Sequence, residues 1–100
     1  MMELHVLNRS NGTTVGEFAL GDSSEVIVGR DESCDVRINA RSISREHCAI
    51  EAIDGELRLR DLESSGGTFC GDDRISEIRI EDGLEVIVGP AILKFYDSGL

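Results

Sequence analysis

Aromatic residues are scarce in this 100-residue chain, four in all. Its core must therefore come from Ile, Val and Leu, within an apolar share of 40%. Basic residues are few as well: ten stand against twenty acids, for a net charge of −10. That balance argues against nucleic acid and against anionic membrane surfaces as partners, because both are bound by neutralising many phosphates with many cations. No apolar run approaches the roughly 18 residues that a spanning helix needs. The N-terminus lacks a basic region followed by an apolar stretch, so no secretory signal is expected. Cys34, Cys48 and Cys70 are odd in number and none forms a Cys-x-x-Cys pair, so no metal site is expected. They read as free buried thiols in a reducing cytoplasm, with a disulfide as the competing reading.

Helical periodicity is missing too. Nowhere do apolar residues recur at helical spacing over ten or more positions, whereas short apolar stretches recur between turn signals. Leu4 and Val6, then Val15, Phe18 and Leu20, flank a Ser10-Asn11-Gly12 turn and predict an opening hairpin. Residues 25–29 and 36–38 predict the next two strands. Cys48 to Ile53 and Glu56 to Asp61 flank Asp54-Gly55, a strong two-residue hairpin signal. Leu57-Arg58-Leu59-Arg60 alternates, so one face of that strand is buried and the other is wet. Short extended pieces at 68–70, 74–75 and 78–80 follow, with Gly71-Asp72 as a turn. Leu84 to Val88 and Ala91 to Tyr96 flank Gly89-Pro90. Many short strands with frequent turns predict an all-β sandwich in one domain, residues 1–100. Asp97 to Leu100 reads as a tail, or as the point where a longer chain was cut.

The basic residues that do exist are unevenly spread. Arg30, Arg37, Arg41 and Arg45 are four of the ten, and no Asp or Glu stands between Asp35 and Glu46. Ser42, Ser44 and His47 are interleaved with them. Guanidinium groups offer planar forks of donors that fit phosphate oxygens, and hydroxyls fill the remaining acceptor sites. The stretch therefore predicts a pocket for one phosphate. Arg37 reads as a solvated residue on a strand face. A nucleophilic reading of Ser44 or Cys48 with His47 is weak, because adjacent strand residues point to opposite faces and no Gly-x-Ser-x-Gly elbow exists. No EF-hand-like spacing of acids appears either.

Three motifs in order carry a resemblance. Gly29-Arg30 runs on to Cys34-Asp35-Val36, Ile43-Ser44-Arg45-Glu46-His47-Cys48 follows, and Asp61-Leu62-Glu63-Ser64-Ser65 leads into Gly67-Thr68-Phe69. Together they resemble the forkhead-associated (FHA) domain family over residues 3–97. The resemblance implies an FHA-type β-sandwich of about eleven mostly antiparallel strands with binding loops at one end. It implies a non-catalytic module that captures phosphothreonine peptides in Ser/Thr kinase signalling, a recognition mode that relies on arginine. The implied partner is a Thr-phosphorylated protein, in another chain or in cis, and no cofactor or metal is implied. Arg30, Ser44, Arg45, Ser65 and Gly66 would meet the phosphopeptide, while Gly29, His47, Gly67 and Thr68 would support the loops. One departure matters. The family usually has Asn, a clamp on the peptide backbone, where this chain has Gly66. That departure favours the competing reading, an FHA fold serving phospho-independent interaction or assembly.

Overall fold

The computed structural model describes residues 1–21 and 25–99. Among these, eleven strands follow one another with no helix between them. Strand β1 (Met2–Asn8) pairs with β2 (Thr14–Ala19) as the opening hairpin. Then come β3 (Glu25–Gly29), β4 (Val36–Arg37), β5 (Cys48–Ile53), β6 (Glu56–Asp61), β7 (Phe69–Cys70), β8 (Asp73–Arg74), β9 (Glu77–Arg79), β10 (Glu85–Val88) and β11 (Ala91–Asp97). One sheet has the order β2-β1-β11-β10-β7-β8, the other β4-β3-β5-β6-β9. Neighbouring strands are antiparallel except β3 and β4, whose short parallel pairing sets Gly29 opposite Arg37.

Alternation decides which side chains go inward. In β11, Ala91, Leu93 and Phe95 are buried while Ile92, Lys94 and Tyr96 are not. Leu4 of β1 sits opposite Phe95 in register, and both are fully buried. From the other sheet Val28, Ile50 and Leu59 join the same apolar cluster. The core is thus aliphatic apart from Phe95, as the shortage of aromatics requires. Truncating Phe95 would cost about 3–5 kcal/mol.

The turns follow their residues. Asp54 and Gly55 both have positive φ, 51° and 81°, as a two-residue type I′ hairpin demands. At Gly71-Asp72 only the Gly is positive, φ 61°, which fits the type II′ turn expected there. Strand ends differ from expectation by a residue or so. Strand β4 stops at Arg37, just where β3 ends at Gly29, and the Ile38 amide makes the last bond between them, to the Gly29 carbonyl at 2.8 Å. All three cysteines are free, but Cys48 alone is fully buried; Cys34 and Cys70 are half-buried. Burial pushes the Cys48 thiol up to about 12, so it stays an inert apolar group.

Candidate functional site

Three connections gather at one end of the sandwich. The first joins β3 to β4, the second β4 to β5 and the third β6 to β7. Polar as it is, the second loop is anchored by Ile43, which is 1% exposed and belongs to the core. Burying that side chain is worth about 2 kcal/mol. The loop is therefore tied to the sandwich from below.

Backbone bonds stitch the first two loops together. The amides of Arg30 and Asp31 donate to the carbonyls of Ser44 and Arg45, at 3.0 and 3.1 Å. The His47 amide donates to the Val28 carbonyl at 2.8 Å. Cys34 Sγ donates to the Arg45 carbonyl at 3.1 Å. Gly29 makes this approach possible. A Cβ there would lie 2.2 Å from the Arg45 carbonyl oxygen, so no larger residue fits. Arg30 adds a side-chain tie, with Nε donating to the Ile43 carbonyl at 3.0 Å. That bond orients the guanidinium, and its terminal nitrogens have no partner among the described residues.

His47 joins the second loop to the third. It is fully buried. Its Nδ1 accepts from the Ser44 amide at 3.1 Å, and its Nε2 lies 2.9 Å from the Gly67 carbonyl. An amide can only donate and a carbonyl can only accept, so the ring is the neutral Nε2–H tautomer. With both nitrogens bound to backbone, His47 has none left to activate Ser44 Oγ or Cys48. The nucleophilic reading has no base.

The third loop is organised by Asp61. Its carboxylate accepts from the Ser64 amide at 3.1 Å, Ser64 Oγ at 2.6 Å and Thr68 Oγ1 at 2.8 Å. Burial raises the Asp61 carboxyl, but the Ser64 and Thr68 bonds outweigh it and hold the group below the ordinary carboxylate value. Ser64 Oγ in turn accepts from the Gly67 amide at 3.0 Å, and Gly67 turns the chain with φ 86°. Arg74 donates to the Ser64 carbonyl at 2.9 Å. Ser64 and Thr68 are both buried, so this hub is a scaffold and not a contact surface.

What the loops present outward is a hydroxyl pair with cations beside it. Ser44 Oγ accepts from the Ser65 amide at 3.1 Å and lies 3.4 Å from Ser65 Oγ. The pair commits at most one proton to itself, so another remains free to donate to an anion. Arg45 is exposed and makes no side-chain hydrogen bond or ion pair with a described residue. Gly66 is exposed, and its φ lies outside the left-handed region. Arg41 is also exposed and unbonded within the described residues. Arg37 is the exposed strand residue expected, at the end of β4. Its Nε donates to the Arg30 carbonyl at 2.9 Å, and it shares a cleft with Arg30 and Arg45. Sequence reasoning also missed Ser64 and Arg74 as loop supports. Ser64 did carry a local signal, since its partners Asp61 and Gly67 lie three residues to either side within the third motif, whereas Arg74 meets the Ser64 carbonyl from ten residues away.

Comparison with known proteins agrees with this architecture. The FHA domain family model matches residues 26–89, and the chain belongs to the FHA domain family. FHA domain-containing protein PS1 of Arabidopsis thaliana is 35% identical over 85 residues, which cover 79% of this chain and 6% of PS1. The chain thus spans a small fraction of that relative. The FHA domain of the CT664 protein from Chlamydia trachomatis superposes with a TM-score of 0.82 at 27% identity, covering 96% of each chain. A structure from work on phosphothreonine-dependent FHA domain interactions superposes with a TM-score of 0.80 at 22% identity. That superposition covers 99% of this chain and 98% of the other. FHA domains are interaction modules.

Proposed function

We propose that this FHA domain captures phosphothreonine-containing segments of proteins phosphorylated by a Ser/Thr kinase, and does no chemistry itself. The observation that carries the reading is the Ser44–Ser65 hydroxyl pair, 3.4 Å apart, beside Arg30 and Arg45, which lack a described carboxylate partner. A phosphate brings nearly two negative charges and three acceptor oxygens at neutral pH. Arg30 supplies the oriented fork, Ser44 and Ser65 donate through their hydroxyls, and Arg45 adds charge beside them. Gly29, His47, Gly67 and Thr68 hold the loops in place beforehand, which lowers the ordering cost of binding. The solved structure with phosphothreonine-dependent interactions supports the assignment by likeness of fold. We take residues 1–100 as one domain acting in the cytoplasm, on a partner chain or on another part of the same protein.

A second reading rests on Gly66. At the position where the family usually places the Asn clamp, this chain has no side chain to grip a peptide backbone. That favours a phospho-independent assembly module. Titrating a phosphothreonine peptide library and its unphosphorylated twin separates the two. Phosphate-dependent retention supports the first reading. Equal binding of both sets, or binding only to a folded unphosphorylated partner, supports the second.

A further inference from the structure

Beside the hydroxyl pair lies a second basic feature that the phosphothreonine reading leaves unused. Arg37, Asn39, Arg30 and Arg45 wall a cleft of about 270 Å³ together with Asp31 and Glu32. Ser44 and Ser65 are not among its walls, so the cleft adjoins the hydroxyl pair and does not contain it. It is an open surface cleft with room for a charged side chain.

The charges in this cleft are only partly offset from within, three guanidinium groups against two carboxylates. Asp31 is turned into its own loop, where it accepts from the Ser33 amide at 3.0 Å and from Ser33 Oγ. Those Ser33 bonds, helped by the nearby charges of Arg45 and Arg37, hold the Asp31 carboxyl below its ordinary value. Glu32 is exposed and makes no ion pair. Neither acid comes within 4.0 Å of a guanidinium nitrogen there. The Nε bond from Arg37 to the Arg30 carbonyl fixes the Arg37 fork at the cleft wall, and its terminal nitrogens have no partner among the described residues. Three guanidinium groups and Asn39 therefore line a space with two carboxylates, which leaves one positive charge in surplus and no close ion pair among the described residues.

We infer that this cleft is a second anion subsite. It takes a further negatively charged side chain, carboxylate or phosphate, of the same peptide whose phosphothreonine meets Ser44 and Ser65. The inference rests on the phosphothreonine reading above and narrows it, since the preferred partner becomes an acid-flanked or multiply phosphorylated segment. Arg37 is the residue particular to the second subsite, while Arg30 and Arg45 border both.

The test uses fluorescence anisotropy of the whole chain. One peptide carries a phosphothreonine with neutral flanks. In its sisters one flanking position at a time becomes Glu or phosphoserine. At one flanking position Glu should tighten binding about fivefold, the upper end for a solvent-exposed ion pair. Phosphoserine should tighten it further, and the Glu and phosphoserine arms tell the two sources apart. The gain should shrink as salt is raised. In Arg37→Gln the gain should vanish while the neutral-flanked peptide binds as before. Arg37→Lys keeps the charge without the Nε bond and should retain most of the gain. The subsite is overturned if no second anion tightens binding, if the gain survives in Arg37→Gln, or if Arg37→Lys loses as much as Gln. Failure of every peptide to bind, acidic flanks included, overturns the phosphothreonine reading and this one with it. Binding of the neutral-flanked peptide with no gain at any position overturns this one alone.

Discussion

On the faces of β6, β9 and β11 every cation has a carboxylate beside it. Arg60 meets Glu51 at 2.5 Å, Arg58 meets Glu77, Arg79 lies 3.8 Å from both Glu56 and Glu81, and Lys94 is 3.6 Å from Glu85. At the loop end Arg30, Arg37, Arg41 and Arg45 have no described carboxylate within 4.0 Å. Acids outnumber bases two to one in this chain, twenty against ten, so leaving cations unpaired takes specific placement. On the sheets charge keeps the surface solvated, and each exposed pair is worth about 0–1 kcal/mol. Of the four loop guanidinium groups, Arg41 and Arg45 make no side-chain bond to a described residue, while two are positioned by bonds to backbone carbonyls, Arg30 to Ile43 and Arg37 to Arg30. Such bonds orient a cation and leave its charge available. The lesson is that the partner of an arginine, carboxylate or carbonyl, distinguishes a surface cation from one kept ready for an anion.

The strongest test removes what holds the loop end in place. His47→Ala loses two backbone bonds and leaves a cavity, and should lower unfolding free energy by about 3 kcal/mol. Urea denaturation followed by circular dichroism measures it. Phosphopeptide binding should fall along with loop order. A variant as stable as the parent that still fails to bind would mean that His47 touches the ligand directly.

Next, one arginine from each region can be compared. Arg30→Ala should weaken phosphopeptide binding by about 2 kcal/mol, the worth of a charged hydrogen bond, with Arg30→Lys recovering part of it. Because its Nε serves the Ile43 carbonyl, the same change should also cost about 1 kcal/mol of stability. Arg58→Ala on the sheet should leave binding unchanged by calorimetry. Equal losses at both positions would erase the distinction between the regions.

Acid sharpens the comparison through Asp61, the carboxylate that is bonded to the loop and not to a cation. Its folded value is depressed, so the stability it contributes is complete above its unfolded value of about 4 and is lost as pH falls through the folded value. Asp61→Asn keeps one acceptor, should cost about 1 kcal/mol at neutral pH, and should flatten the acid limb below about pH 4. Denaturant midpoints of parent and variant against pH give the difference. A parallel offset at all pH values would remove Asp61 from the acid response.

The smallest effect is expected at Gly66. Its backbone conformation accepts any L residue, but a Cβ would sit 3.1 Å from the Ser42 carbonyl oxygen, so the loops must yield by a few tenths of an ångström. Gly66→Asn should tighten phosphothreonine peptides by about 1 kcal/mol, roughly fivefold, through one or two neutral hydrogen bonds. Gly66→Ala, which adds the Cβ without the amide, should give no gain. Tighter binding of the unphosphorylated twin in Gly66→Asn would point to the phospho-independent module instead.

Much of this was legible without coordinates. The alternation Leu57-Arg58-Leu59-Arg60 reads directly as an inner and an outer face, and Asp54-Gly55 and Gly71-Asp72 name their own turns. The family resemblance carried by the three motifs singled out Arg30, Ser44, Arg45 and Ser65, which the folded chain brings to one end. Strand ends were less legible, because a strand stops where its partner does. That is why β4 ends at Arg37 and β10 begins at Glu85 and not at Leu84.

By itself the sequence determined the all-β class, the aliphatic core and the crowding of arginine and serine into the loops. These are properties of residue type and of a two-residue period, which any short window carries. Only the tertiary structure decided that Arg37 stands beside Arg30, through the parallel pairing of β3 with β4. Only it made Asp61 and Ser64 a scaffold, gave His47 its tautomer, and left the loop arginines without carboxylates. Some of those contacts span only a few residues, Asp61 to Ser64 and Ser44 to His47. The bond from His47 to Gly67 and the lack of carboxylates beside the loop arginines depend on distances between residues far apart in the chain. Such distances are set by strand register and by the stacking of two sheets on one core, and no local pattern encodes them.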